Sequence, residues 1–104
     1  MKVELNSMLH QDLYNIDFLQ TEIAVITLCD KNHPIFKAHF PSYPILPAFM
    51  HFEIISNIFG LDITTIKKAK FTKVISHSET IRYERKNNVF NVFCQDEKVA
   101  SFSI

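Results

Sequence analysis

Polar and apolar positions divide this chain into short alternating runs around one nearly continuous apolar segment. FLQTEIAVITLC, residues 18–29, is rich in Ile, Val, Thr and Phe and predicts a single strand. DKNHP at 30–34 breaks it, with Pro34 fixing a turn. Over residues 35–47, Pro41, Pro44 and Pro47 recur at a spacing that no helix interior or central strand tolerates, which predicts a stiff, extended loop. AFMHFEIISNIFG then reads as a helix, with Pro47 suited to its first turn and Gly60 to its C-terminal cap. Phe49, Met50, Phe52, Ile54, Ile55, Ile58 and Phe59 cover nearly its whole circumference, which predicts a helix buried on all sides. Only His51, Glu53, Ser56 and Asn57 interrupt it.

Beyond the helix, residues 66–75 and 80–85 alternate as strands, separated by a turn at 76–79. KNN at 86–88 is a hairpin signal leading into VFNVFCQ, and DEK at 96–98 turns the chain into VASFSI. Residues 6–14 suggest a short helical turn or an irregular entry. One strand, one buried helix and four further strands make an α+β arrangement: an antiparallel sheet wrapped around a single helix.

The 104 residues suit one domain, 1–104, with a small core that pairing with a second copy would help to stabilise. Eleven basic residues balance eleven acidic ones, so net charge supplies no field for a polyanion, and nucleic-acid binding is not expected. The N-terminus has no signal-peptide pattern, and no apolar run is long enough for a membrane span. Cys29 and Cys94 each sit in a strand-like run and read as reduced thiols of a cytoplasmic protein.

The chemistry concentrates in HPIFKAHFPSYPILPAFMHFEIISN, residues 33–57. A carboxylate among apolar neighbours is costly, and desolvation favours the protonated form of such a group, so Glu53 is a candidate general acid. On burial statistics alone it would more often reach the surface or pair with a lysine. His39, followed by Phe40 and Pro41 in the proline-braced loop, is a candidate base if it stays neutral. Alone, it reads more readily as a loop histidine bonded to backbone. The N–H of Ala48 sits at a helix start, where unpaired donors and the helix dipole favour negative charge. Asn57, one turn beyond Glu53, could hold the carboxyl in position. His51 lies roughly on the opposite side of the helix and reads as a structural or interface residue. His33 and His77 read as turn residues, and a metal site from His33, His39 and His51 fits no standard zinc spacing.

The string His39-Phe40-Pro41, followed by Pro44, Pro47 and Glu53, resembles the active-site signature of the hotdog-fold beta-hydroxyacyl-acyl-carrier-protein dehydratases. The spacing from His39 to Glu53 matches without a gap, and Asn57 falls where that family usually has Gln. KKAKFTKVISHSETIRYE resembles the strand–turn–strand that follows the family's helix. Ala38, Ser42 and Ala48 stand where the family usually has Gly. Alanine keeps the N–H at the helix start, but a positive φ there would strain it. The short chain is nearer to the divergent thioester dehydrases of aryl-polyene and other specialised acyl pathways.

The resemblance implies a hotdog fold paired into a double-hotdog homodimer, with further assembly left open. It implies (3R)-hydroxyacyl thioester dehydration with His39 and Glu53 as catalytic pair, one from each subunit. The substrate would arrive on acyl carrier protein, with coenzyme A as the alternative carrier, and no metal or cofactor is called for. Ala48 and Asn57 would contact or order the site, and Phe40, Tyr43, Phe49 and Phe52 would line an acyl tunnel. Competing readings are a hotdog thioesterase, which would not need the His-Phe-Pro loop, and a non-catalytic acyl-binding subunit.

Overall fold

The computed structural model describes residues 12–38, 42 and 44–104. In chain order the elements are β1 (Tyr14–Leu19), β2 (Ile23–Leu28), α1 (Pro34–Ala38), α2 (Phe49–Phe59), β3 (Lys68–Phe71), β4 (Thr80–Lys86), β5 (Val89–Cys94) and β6 (Glu97–Ser103). The strands form one antiparallel sheet in the order β1-β2-β4-β5-β6-β3. The expected sheet with one main helix is present, but it has one more strand than the sequence pattern predicts.

The extra strand comes from the N-terminal run. Residues 18–29 are not one strand: Gln20–Glu22 turn the chain, the Gln20 N–H donates to the Ile23 carbonyl at 2.8 Å, and β1 folds back on β2. No Gly or Pro marks this turn, which is why periodicity alone runs through it. The short helical turn expected over 6–14 falls mostly outside the described residues, but Tyr14 itself opens β1.

The expected extended segment 35–47 also begins differently. Pro34 starts α1, where its missing N–H costs nothing. The Ile35 N–H donates to His33 Nδ1 at 3.0 Å, while the His33 carbonyl accepts from Phe36 and Lys37. His33 thus caps α1 with both side chain and backbone, and Ile35 and Phe36 are buried. At the far end, the Leu46 N–H donates to the Ile75 carbonyl at 2.7 Å and Ser76 Oγ donates to the Pro44 carbonyl.

Alternation sorts the strands into two faces. Ala24, Ile26 and Leu28 of β2, Ile81 and Tyr83 of β4, Phe90 and Val92 of β5, and Phe102 of β6 are buried on the helix side. The last hairpin turns at Gln95–Asp96, not 96–98. Both residues have positive φ (54° and 62°) inside the Cys94–Glu97 pair, which is the two-residue type I′ geometry. β3 is shorter than expected, pairs with β6 alone among the described residues, and has all four residues exposed. Cys94 is buried in β5, Cys29 follows β2, and both thiols are free. Among the described residues no helix is long and apolar enough to cross a membrane.

Gly60 ends α2 at φ 66° and ψ 40°, and its N–H donates to the Ser56 carbonyl. A Cβ there would meet nothing within 4 Å, so the constraint is backbone conformation, not space. Gly60→Ala is therefore expected to cost about 1–2 kcal/mol, seen as a thermal midpoint several degrees lower. Gly60→Asn should recover part of the loss, because Asn tolerates the left-handed region. Equal losses for both would contradict this account.

Candidate active site

Helix α2 fixes which side chains face the sheet. Met50, His51, Ile54 and Ile55 are its buried residues. At 100° per residue these four fall on one face. Glu53 lies about 200° around the helix from His51, and is half-buried. The sequence predicts a helix buried on all sides. Within one chain only one face is covered, and Phe49 on the outward side is 46% exposed.

His51 points inward and is 4% exposed. Its Nδ1 shares a hydrogen bond of 2.8 Å with Tyr83 Oη from β4, and its ring stacks 6.0 Å from Phe71 of β3. Burial pushes its pKa down to about 4, and burial holds the Tyr83 phenol well above its ordinary value. Both groups are neutral near pH 7, so a single proton serves the bond, from phenol or imidazole according to tautomer.

Glu53, Asn57 and Phe49 share the outward side. The Asn57 amide donates from Nδ2 to Tyr14 Oη at 2.6 Å. Tyr14 is thus a polar neighbour of the site that the sequence analysis overlooked; its one trace was alternation with Ile16. Its phenol is raised above its ordinary pKa, chiefly by burial, and stays protonated. Ser56 Oγ donates to the Leu61 carbonyl at the helix end.

Ala48 precedes the helix with φ −54° and ψ −40°, ordinary right-handed values that alanine adopts without strain. The Pro47 and Ala48 carbonyls accept from Met50 and His51 at 3.0 and 3.2 Å, a tight first turn. The Met50 and His51 N–H groups are thus satisfied within the turn, and Ala48 at the N-cap makes no side-chain cap bond. Phe52 packs edge-on against Phe102 at 4.9 Å and lies 6.2 Å from Phe71. It touches the β3–β6 side of the sheet.

His39, Phe40 and Tyr43 lie outside the described residues. The flanking chain is described: α1 ends at Ala38, immediately before His39, and the strap at Pro44–Leu46 is bonded to Ile75 and Ser76. Of the sequence-predicted site residues, Glu53, Ala48, Phe49, Phe52 and Asn57 all fall on α2 or at its start. No group of three or more potential metal ligands occurs among the described residues.

A sheet of this order around one helix is shared with solved hotdog structures. The dehydratase heterocomplex ApeI:P from Xenorhabdus doucetiae aligns with a TM-score of 0.65 at 18% identity, covering 90% of this chain and 96% of that one. The PaaI protein of the Escherichia coli phenylacetic acid degradation operon aligns at 0.56 and 12% identity, covering 96% and 87%. A hypothetical thioesterase from Streptococcus pneumoniae, solved with coenzyme A, aligns at 0.52 and 15% identity, covering 98% and 91%. The fold is the hotdog fold. No curated protein sequence matches. The profile of the ApeI-like family, described as ApeI dehydratase, matches residues 16–103. The chain belongs to the ApeI-like dehydratase family, as a divergent hotdog member.

The buried imidazole gives the fold a pH dependence. An unfolded histidine titrates near 6.5, whereas folded His51 titrates near 4. The stability that His51 contributes is fully present above about pH 6.5 and is lost as pH falls towards 4, by about 3 kcal/mol in all. His51→Asn is expected to flatten the thermal midpoint between those two pH values relative to the parent. Parallel curves for the two proteins would contradict the assignment.

Proposed function

We propose that this chain is a (3R)-hydroxyacyl thioester dehydratase that works as a homodimer on acyl groups carried by acyl carrier protein. One observation carries the reading most of the way. Glu53 stands on the outward side of α2, five residues after Ala48 at the helix start, in a chain of a dehydratase family. The Ala48 backbone supports it, since alanine in place of glycine leaves the N–H available at an unstrained φ.

In the proposed reaction, His39 removes a proton from C2 of the substrate, the carbon made acidic by the thioester carbonyl. The Ala48 N–H stabilises the enolate-like oxygen that develops there. As the C3–O bond breaks, the Glu53 carboxyl gives its proton to the departing hydroxyl, which leaves as water. The C2 electron pair becomes the new double bond, and the product is a trans-2-enoyl thioester. Asn57 and Tyr14 order the polar side of this site. Phe40, Tyr43, Phe49 and Phe52 are the proposed apolar lining for the acyl chain.

The homodimer is supported by what one chain leaves uncovered. Phe49 on α2, Phe71 on β3 and Val74 just beyond it are 46%, 39% and 56% exposed. A second copy that covered them would complete the burial that the helix composition calls for. In the dimer that the resemblance implies, His39 of one subunit would serve with Glu53 of the other. The ApeI:P structure is described as a heterocomplex, so a different hotdog subunit is the alternative occupant.

Incubation with a 3-hydroxyacyl carrier-protein thioester tests the reading. Enoyl product supports dehydration. Free acid would assign the chain to the thioesterases, and absence of turnover at every chain length would make it a binding subunit. His39→Ala and Glu53→Gln are each expected to lower dehydration by about 10²–10⁴, with the oligomer unchanged in sedimentation. Near-parental rates in both variants would remove these residues from the mechanism.

A further inference from the structure

The chain has no net charge, yet five of its eleven basic residues, Lys67, Lys68, Lys70, Lys73 and Lys98, gather at the β3 edge of the sheet. All five are exposed. Lys73 is paired with Glu97 at 2.9 Å. Among the described residues the other four have no ion-pair partner. The register places Lys68 opposite Ser103 and Lys70 opposite Ser101, while Val89 also pairs with Ser103. Phe102 and Ala100, at the alternate positions of β6, are buried against the helix. The lysines and serines therefore occupy the outer face, where they border an open groove of about 560 Å³ that Lys98 also lines.

Lysines on an edge strand have a bland explanation: they discourage edge-to-edge pairing with other chains. That role needs charge on the edge alone. Here Lys98 continues the charge onto β6, and the groove floor offers the hydroxyls of Ser101 and Ser103. The groove is open and its cations are long, flexible point charges without a planar fork or an enclosing ring. That suits several carboxylates spread over a protein surface better than one bound nucleotide. The lysine side chains stand perpendicular to the backbone edge of β3, so a second copy pairing along that edge would not cover them.

We propose that this outer face of β3 and β6 is a docking surface for an acidic protein. On the function proposed above, that protein is the carrier that brings the acyl thioester. The same short strand connects surface to site. Phe71 on its inner face lies 6.2 Å from Phe52, the helix neighbour of Glu53.

The test uses the intact protein and a fluorescently labelled acyl carrier protein, with binding read by anisotropy at low and moderate salt. Parental binding should weaken as salt rises. The triple variant K68E/K70E/K98E should bind roughly tenfold or more weakly, and K68Q/K70Q/K98Q by an intermediate factor, with thermal midpoints near the parent's. Turnover of a small 3-hydroxyacyl N-acetylcysteamine thioester, which has no carrier surface to dock, should stay within about twofold of the parent in every variant. Carrier affinity unchanged by charge reversal would overturn the proposal and leave the lysines as edge guards. An equal rise in KM for a coenzyme A thioester would also overturn it, in favour of a phosphate site. A parental protein that binds carrier but turns over no thioester would sink the proposed function and not the docking surface.

Discussion

The phase of helix α2 is the constraint on which the rest of this structure depends. Met50, His51, Ile54 and Ile55 must face the sheet together, because three of them are large apolar side chains whose burial is worth about 1.5–3 kcal/mol each. Once that face is set, Glu53 has no freedom of direction. A rotation that buried it would expose His51 and leave the Tyr83 hydroxyl, wholly buried in β4, without the bond it now shares. Loss of a partner for a buried hydroxyl costs about 1–3 kcal/mol. The hydrogen bond to Tyr83 thus acts as a register pin: one polar contact inside the core specifies the helix orientation that presents a carboxyl group on the other side.

The second constraint acts on the chain either side of the stretch at residues 39–43. Buried Ile35 and Phe36 anchor the chain before it, and α1 is held by its His33 cap. Two bonds, from Leu46 to Ile75 and from Ser76 to Pro44, hold the chain after it. The intervening stretch is short and contains Pro41, so the unfolded chain has fewer conformations to lose there.

Much of this was legible in the sequence, for identifiable reasons. Helix α2 was visible because one apolar run carries a proline before it and a glycine after it, and both mark backbone states few other residues prefer. The opposition of His51 and Glu53 follows from helical period alone. The β1–β2 turn was not visible, because Gln20–Glu22 contain neither Gly nor Pro and the flanking residues continue the strand composition. Helix α1 was hidden by the density of prolines after it, although Pro34 favours a helix start as much as it breaks a strand. The partner of Asn57 was beyond reach, since it depends on β1 folding back to bring Tyr14 over α2.

Charge shows the same limit most clearly. A count of eleven against eleven is correct as a sum and says nothing about place. The segment IKKAKFTK puts four lysines within seven residues, but only the sheet order turns that run into a surface. Pairing β3 with β6 brings Lys98 alongside. The two-residue period then sends Lys68 and Lys70 outward while Phe71 goes inward to meet His51 and Phe52. The strand is therefore two-sided by construction, aromatic towards the helix and cationic towards solvent. A neutral chain can hold a basic face when the topology gathers one sign at an edge and spreads the other elsewhere. Sequence totals exclude a protein that is basic throughout, and they leave untouched a protein with one basic side.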